Sequence, residues 1–210
     1  MIPIKESIKY GWQKLKENME LALYATLMIL AVSALTGQAG GKHAGIVIPL
    51  NILALVFLTI AKIGYNKIFL KIHDGEKPKF VEIFEHYKIF WRYIGVSILF
   101  ALITIGGLIL LILPGIFWFV RFYFAPLVVI DTKIGPVAAL KESYAITKGN
   151  FWKLLLFLIV LLLLNLAGVI LFWIGLLVTV PITTFASIYV YRKLSREKAG
   201  LAESASPQVA

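Results

Sequence analysis

Residues 154–172 read LLLFLIVLLLLNLAGVILF, a run of nineteen residues with one amide and no charge. As a helix it rises about 28 Å, close to the ~30 Å hydrocarbon core of a bilayer. A helix on the surface of a soluble protein keeps a polar face, and this one has none. A spanning strand would alternate with period two, and the run is continuous. The segment therefore reads as a transmembrane helix.

Five further stretches carry the same reading: residues 19–36, 46–63, 93–113, 116–130 and 176–191. Gly37, Gly40 and Gly41 close the first, and Lys67 and Lys71 turn the end of the second into an amphipathic extension. Pro114-Gly115 reads as a turn between the third and fourth, and Pro126 and Pro181 as kinks within spans. Composition agrees: of 210 residues, 60% are hydrophobic and 15% charged, and the mean hydropathy is +0.88. Globular chains sit near 45–50% apolar, so the excess cannot all be core. A soluble enzyme and a disordered chain are excluded on that ground, and a disulfide scaffold by the absence of cysteine. A signal peptide does not fit the start, where some eighteen residues containing Ile8, Trp12 and Leu15 precede the first span. The expectation is an all-α, polytopic membrane protein with six transmembrane helices, one domain over residues 1–198 and a disordered tail over 199–210.

The net charge of +10 would raise nucleic-acid binding in a soluble protein, but the positions of the charges decide otherwise. Nineteen of the 21 lysines and arginines precede span one, lie between spans two and three or four and five, or follow span six, with Lys62 at the end of span two counted in the loop that follows it. All 11 acidic residues share that side, Lys42 alone lies opposite, and Arg121 falls inside a span. The positive-inside rule then puts both termini and the two long loops in the cytoplasm, with the chain multi-pass in the cytoplasmic membrane. The outer loops are short and almost bare, so partners are expected in the cytoplasm or in the lipid, and not among nucleic acids.

Each pair of spans is preceded by a segment of similar character: residues 4–18 (IKESIKYGWQKLKEN), 80–93 (FVEIFEHYKIFWRY) and 136–150 (PVAALKESYAITKGN). In the first, Ile4, Ile8, Trp12 and Leu15 form one helical stripe with Lys5, Lys9, Lys14 and Lys16 elsewhere. The first and third align without gaps: Ile8 meets Leu140, Lys9 meets Lys141, Trp12 meets Tyr144, Lys16 meets Lys148 and Asn18 meets Asn150. The second aligns more loosely, Ile83 with Ile8 and Tyr87 with Trp12. The unit is one amphipathic interfacial helix plus one transmembrane hairpin, used three times. Lysines on such helices are drawn to anionic headgroups by about 1 kcal/mol each.

The stretch 113–152 pairs Pro114-Gly115 with Arg121 in an aromatic helix, Pro126, Asp131 at a helix end, then Ala139, Ser143, Gly149 and Trp152. With Tyr10-Gly11-Trp12 near the start, this pattern resembles the membrane domain attached N-terminally to some bacterial glycerophosphoryl diester phosphodiesterases, and related uncharacterised six-span membrane proteins. The resemblance implies an anchoring or modulating role. In that family the hydrolytic chemistry belongs to a separate barrel domain with no counterpart in this sequence, so the activity does not carry over.

Arg121 is the costliest residue to place, since a charge at the bilayer centre costs at least about 2.5–3.5 kcal/mol. It either binds an anionic lipid group or is satisfied by carbonyls and the rings of Trp118, Phe122 or Tyr123. With Lys9, Lys141, Lys148 and Trp12 it makes up the candidate set for lipid or anion binding. Pro114, Gly115, Pro126, Asp131, Ser143, Gly149 and Trp152 read as turn and packing positions. Asn51, Asn165, Thr183, Thr184 and Ser187 read as polar glue between helices, and Gly106, Gly107 and Gly168 as close-approach points. His73, Asp74, Glu76 and His86 match no metal-site spacing, and Asp74-Gly75 reads as a turn. No nucleophile context, phosphate loop or cofactor motif is found. The expected function is a non-enzymatic membrane scaffold or accessory module holding anionic lipid or a cytoplasmic partner. The alternative is a transporter or scramblase of a lipid-like amphiphile. Because the sequence lacks cysteine, single cysteines test the orientation: one at His43 is expected to label from outside the cell, and ones at Lys77 or Lys141 only after permeabilisation.

Overall fold

The computed structural model describes residues 2–36, 44–171 and 174–205, with side chains for residues 2–34, 51–171 and 174–200. The glycine turn after the first span and the expectations at Phe172 and Trp173 lie outside the described residues. Helix α1 (Ile4–Glu17) meets α2 (Met19–Thr36) at a bend of 100°. Then α3 (Ala44–His73) leads to two short 3-10 turns, Phe80–Phe84 and Tyr87–Ile89, and α4 (Phe90–Leu110). The rest is α5 (Ile112–Phe122), α6 (Ala125–Thr132), α7 (Pro136–Thr147), α8 (Phe151–Ile170) and α9 (Leu176–Ala205). The described residues are all helix, turn and connection, with no strand.

Among the described residues, four segments are long and apolar enough to cross a membrane: Asn51–His73, Phe80–Leu110, Ile112–Thr132 and Phe151–Ile170. The bent α1–α2 pair makes a fifth. At the tip of the α4–α5 hairpin Ile109, Leu110 and Leu113 are each 80% exposed, an arrangement that suits lipid and not water.

The core is built by α3, α6 and α9. Ile68, Phe69, Phe124, Val128, Phe185 and Ile188 are all buried there, and the Phe69 and Phe185 rings lie 4.3 Å apart. Each of these helices carries a peripheral segment. Along α9 runs α1, α3 takes the first 3-10 turn, and α7 covers α5 and α6. Glycine sets two of these approaches. A Cβ on Gly11 of α1 would strike the Ile182 carbonyl oxygen of α9, and one on Gly64 of α3 would strike the Ile83 carbonyl oxygen. Within the hairpins, Gly107 faces Gly115 and Gly168 faces Gly175 in the same way.

Four expectations change. Residues 80–93 are not one amphipathic helix. Ile83 is buried on Gly64, and the Glu82 carboxylate accepts from Lys71 Nζ at 2.6 Å and the Lys79 N–H at 2.7 Å, fixing two short turns. Pro114-Gly115 is not the turn between spans, because it lies in the first turn of α5, where helical N–H groups lack intrahelical partners. The chain reverses instead at Leu111, which is extended (φ −162°, ψ 143°). On α1 the buried line is Ser7, Gly11 and Leu15, with Ile4 and Ile8 beside it and Trp12 exposed. Small residues win that face because the α9 backbone comes too close for larger ones. Finally, α9 continues as helix to Ala205, so only residues 206–210 of the expected tail lie beyond it and outside the described residues. Pro126 behaves as expected: α5 ends at Phe122 and α6 restarts at Ala125, with the proline in its first turn.

Gly11→Leu is expected to lower the stability of the detergent-solubilised protein by about 1–3 kcal/mol, because α1 must lift off α9. Gly106, with nothing within 4 Å of an added Cβ, is the control. Gly106→Ala should leave the thermal midpoint unchanged or raise it slightly, through better helix propensity.

Candidate functional site

Arg121 is 9% exposed, near the end of α5. It does not stand alone in the span but beside the joint between α7 and α8. One guanidinium nitrogen donates to the Thr147 carbonyl oxygen at 2.5 Å. The rings of Phe117, Tyr144 and Phe151 surround the guanidinium at 5.1, 5.2 and 5.8 Å. Its own carbonyl accepts from Ser143 Oγ at 2.9 Å and from Thr147 Oγ1 at 3.4 Å. The cation is thus held by a carbonyl and a ring of aromatic faces, a combination that offsets desolvation without a counter-ion. Its Nε is buried without a hydrogen-bond partner. Of the rings expected to take it from the sequence, Trp118 and Phe122 instead stack on each other at 5.3 Å. The joint itself needs Gly149, whose φ of +82° lies in the left-handed region.

A second polar centre ties the core helices together at the end where α6 stops. Asp131 accepts from Arg192 at 2.7 and 3.0 Å, in a bidentate fork, and from the Tyr191 hydroxyl at 2.9 Å. Lys67 of α3 stands 4.0 Å away. Arg192 also reaches Asp74, just past α3, at 2.6 Å. Close by, the Tyr10 hydroxyl of α1 shares a 2.8 Å hydrogen bond with His73 Nδ1. Burial first, and then the charges of Glu17 and Asp74, pushes the Tyr10 hydroxyl up to about 12, so it stays neutral at physiological pH. Sequence reading marked Asp131 as a helix-end residue and missed Arg192 as its partner, since nothing in a separation of 61 residues signals the pair.

The remaining candidates lie at the surface. Lys9, Lys141 and Lys148 are exposed. Trp12 is 45% exposed with Lys16 Nζ 4.9 Å from its ring, and Trp91 and Trp152 are 79% and 78% exposed at the starts of α4 and α8. Phe90 and Phe151 precede these tryptophans and meet them edge-on, each at 5.3 Å. His86 Nδ1 lies on the Glu82 carbonyl at 3.1 Å, away from His73, and Asp74-Gly75 forms the expected turn, with Gly75 at φ +89°. Among the described residues no group of three or more His, Asp or Glu side chains could hold a metal ion.

Inside the bundle, Asn165 of α8 and Thr183 of α9 are 3.3 Å apart, and Tyr123, just past the end of α5, and Ser187 of α9 are 3.1 Å apart. These residues do join helices, and they also edge a cavity of about 660 Å³ between α5, α6, α8 and α9, which hydropathy alone does not reveal.

Among the described residues, an all-helical membrane-protein architecture with four to five segments able to cross a membrane, and with lysines and tryptophans exposed, is the class that fold and site define. The chain belongs to the family of a domain of unknown function (DUF7847), whose sequence profile matches residues 87–208. Uncharacterised proteins of Mycobacterium bovis and Mycobacterium tuberculosis are each 28% identical over 227 aligned residues, covering 91% of this chain and 68% of theirs. No solved structure matches.

Because Asp131 is held by α9 and stands near Lys67, Asp131→Asn is expected to take the carboxylate from Lys67, leave Arg192 with Asp74 alone, and cost about 3 kcal/mol. Arg192→Met should cost a similar amount. The double variant should fall short of the sum by more than 0.5 kcal/mol, the mark of direct coupling in a thermal-unfolding double-mutant cycle.

Proposed function

We propose that this chain is a non-enzymatic, six-span scaffold or accessory protein of the cytoplasmic membrane, both termini cytoplasmic, whose basic rim holds anionic lipid headgroups. In this reading α9 is the sixth span. It falls short as an isolated apolar segment because Arg192 and Lys193 follow residues 176–191 of the helix, but Arg192 is taken up by Asp131 and Asp74. The resemblance to the phosphodiesterase-linked membrane domains points to the same anchoring kind of role.

The observation that carries the reading is the division of the cations. Arg121 and Arg192 are taken up by carbonyls, rings and carboxylates inside the protein. Lys9, Lys16, Lys141 and Lys148 are exposed, on or beside the short helices that precede spans, with Trp12 and Trp152 among them. Lysine is a hydrated point charge suited to headgroups, and tryptophan favours the level of the headgroups. The 100° bend between α1 and α2 suits a helix lying in the membrane plane next to one that crosses it.

A threefold repeat of interfacial segment plus hairpin fits the same picture. Ser7, Gly11 and Leu15 are buried on α1, and their aligned partners Ala139, Ser143 and Thr147 are buried on α7. Asn18 and Asn150 both sit at the joint before a span, where their carbonyls accept from Ala22 and Leu154. Each interfacial segment packs on the second helix of the preceding hairpin, with α1 on α9 closing the ring.

A second reading, a transporter or scramblase of a lipid-like amphiphile, is favoured by the 660 Å³ cavity alone. Reconstitution separates the two. Native mass spectrometry of protein from phosphatidylglycerol-containing vesicles is expected to find bound anionic lipid. Replacing Lys9, Lys16, Lys141 and Lys148 together by Gln should cut its retention at least tenfold, since at ~1 kcal/mol per lysine the four are together worth up to ~4 kcal/mol. Unchanged retention would sink the scaffold reading, and headgroup-lipid flux above that of empty vesicles would favour the second.

A further inference from the structure

The cavity between α5, α6, α8 and α9 has a composition unlike that of the rim. Its back wall is Phe124, Leu127, Ile130, Leu158, Leu161 and Ile188, all buried but for access from the cavity itself. Its mouth is flanked by Phe119, Ile159 and Leu162, which are 39%, 44% and 66% exposed on the outer surface of the bundle. It therefore opens sideways between α5 and α8. No Asp, Glu, Lys or Arg lines it. From Leu155 to Asn165 it follows α8 for about 15 Å at 1.5 Å per residue, a length suited to an alkyl chain.

One edge is polar, and its hydrogen-bonding capacity is not used up. Ser187 gives its proton to the Thr183 carbonyl at 2.8 Å, so the 3.1 Å contact to Tyr123 is donated by the tyrosine. That leaves the Tyr123 oxygen free to accept. Thr183 gives its proton to the Val180 carbonyl at 2.9 Å, and Asn165 Nδ2 donates to Thr183 Oγ1 at 3.3 Å. Asn165 then keeps one N–H, and its oxygen has only a 3.5 Å contact. Thr183 and Ser187 are one turn apart on α9, so the two unsaturated groups are separated by roughly 6 Å along the helix. An amide and a phenol facing an apolar, uncharged cavity match a ligand that brings one or two uncharged oxygens on a long chain.

We propose that this crevice binds a neutral long-chain amphiphile, entering from the lipid between α5 and α8, whose hydroxyl or carbonyl oxygen meets Asn165 and Tyr123 while its chain lies along Leu158, Leu161 and Ile188. A phosphate or carboxylate has no cation there to meet. The inference goes beyond the anionic-lipid reading and does not rest on it, since no residue of the rim lines the crevice.

The test is photolabelling of the full chain in vesicles with a diazirine-bearing hexadecanol, mapped by peptide sequencing, with three unlabelled competitors: hexadecanol, hexadecane and hexadecyl phosphate. Labelling is expected on Phe119, Leu158 and Leu162, with hexadecanol competing at least tenfold better than either other compound. Asn165→Leu should erase that preference, and Ile159→Trp, which blocks the mouth without touching the buried wall, should remove the label. Equal competition by hexadecane would make the crevice a mere apolar gap, and stronger competition by hexadecyl phosphate would make it an anion site; either overturns the proposal. So would label spread evenly over the lipid-exposed α4–α5 tip. Because Lys9, Lys16, Lys141 and Lys148 lie elsewhere, their replacement should leave this labelling intact, so failure here and failure of the lipid-rim reading are told apart.

Discussion

The Asp131 carboxylate is the point on which the arrangement of the helices turns. It stands at the end of α6, takes both arms of the Arg192 guanidinium and the Tyr191 hydroxyl from α9, and lies 4.0 Å from Lys67 of α3. Removing these charges from water is costly, and only near-ideal geometry with all lone pairs used offsets the cost. The bidentate fork and the phenol supply that geometry. Through Asp74 the same arginine reaches the turn that follows α3. The three core helices are thereby fixed in register at one end, and the peripheral segments α1, the 3-10 turns and α7 are laid on helices whose positions are already set.

Along the rest of their length the helices must find another source of cohesion. Lipid is as apolar as leucine, so helices in a bilayer associate through van der Waals contact, which rewards small residues that let backbones approach. Gly11 on Ile182, Gly64 on Ile83, Gly107 on Gly115 and Gly168 on Gly175 are such contacts. The opposite case lies between α5 and α8 at the crevice. There the facing residues include Ile116, Phe119, Leu155, Leu158 and Leu162, with no glycine among them, and a cavity is left beside them. The same rule that closes four contacts opens the cavity.

This also accounts for what could be read from the sequence. A continuous apolar run is a strong local signal, so α4, α8 and the α5–α6 pair lie within a few residues of the expected spans, while α3 runs on as one helix through the expected amphipathic extension to His73. Pro114-Gly115 misled because proline serves equally well to end a helix and to occupy its first turn, and the difference lies in Leu111, whose side chain says nothing of its backbone angles. On α1, hydropathy favoured the line through Trp12, whereas Ser7 and Gly11 were buried because they are small, a property to which a hydrophobic period is blind. Asp131 was legible as a special residue; its partner was not, because ion pairs between distant helices leave no mark on either segment. Arg121 was rightly singled out as needing partners, but the Thr147 carbonyl and the Phe151 ring belong to a joint that only the fold brings to it.

The two kinds of cation are used differently, and geometry explains the division. Two of the four arginines bond inside the protein, Arg121 to the Thr147 carbonyl and Arg192 to two carboxylates, and the exposed Arg92 donates to the Lys133 carbonyl at the surface. A planar guanidinium with several fixed donors can satisfy a carbonyl or carboxylate and still lie flat against rings, whereas a compact ammonium keeps its hydration more strongly. Lysines such as Lys9, Lys16, Lys141 and Lys148 are accordingly left at the surface. A field made by exposed lysines is diffuse and yields to salt, which suits a fluid layer of headgroups better than a single defined anion. The internal arginines act as connectors of the helices, and the excess positive charge that the sequence advertises is carried outward almost entirely by lysine.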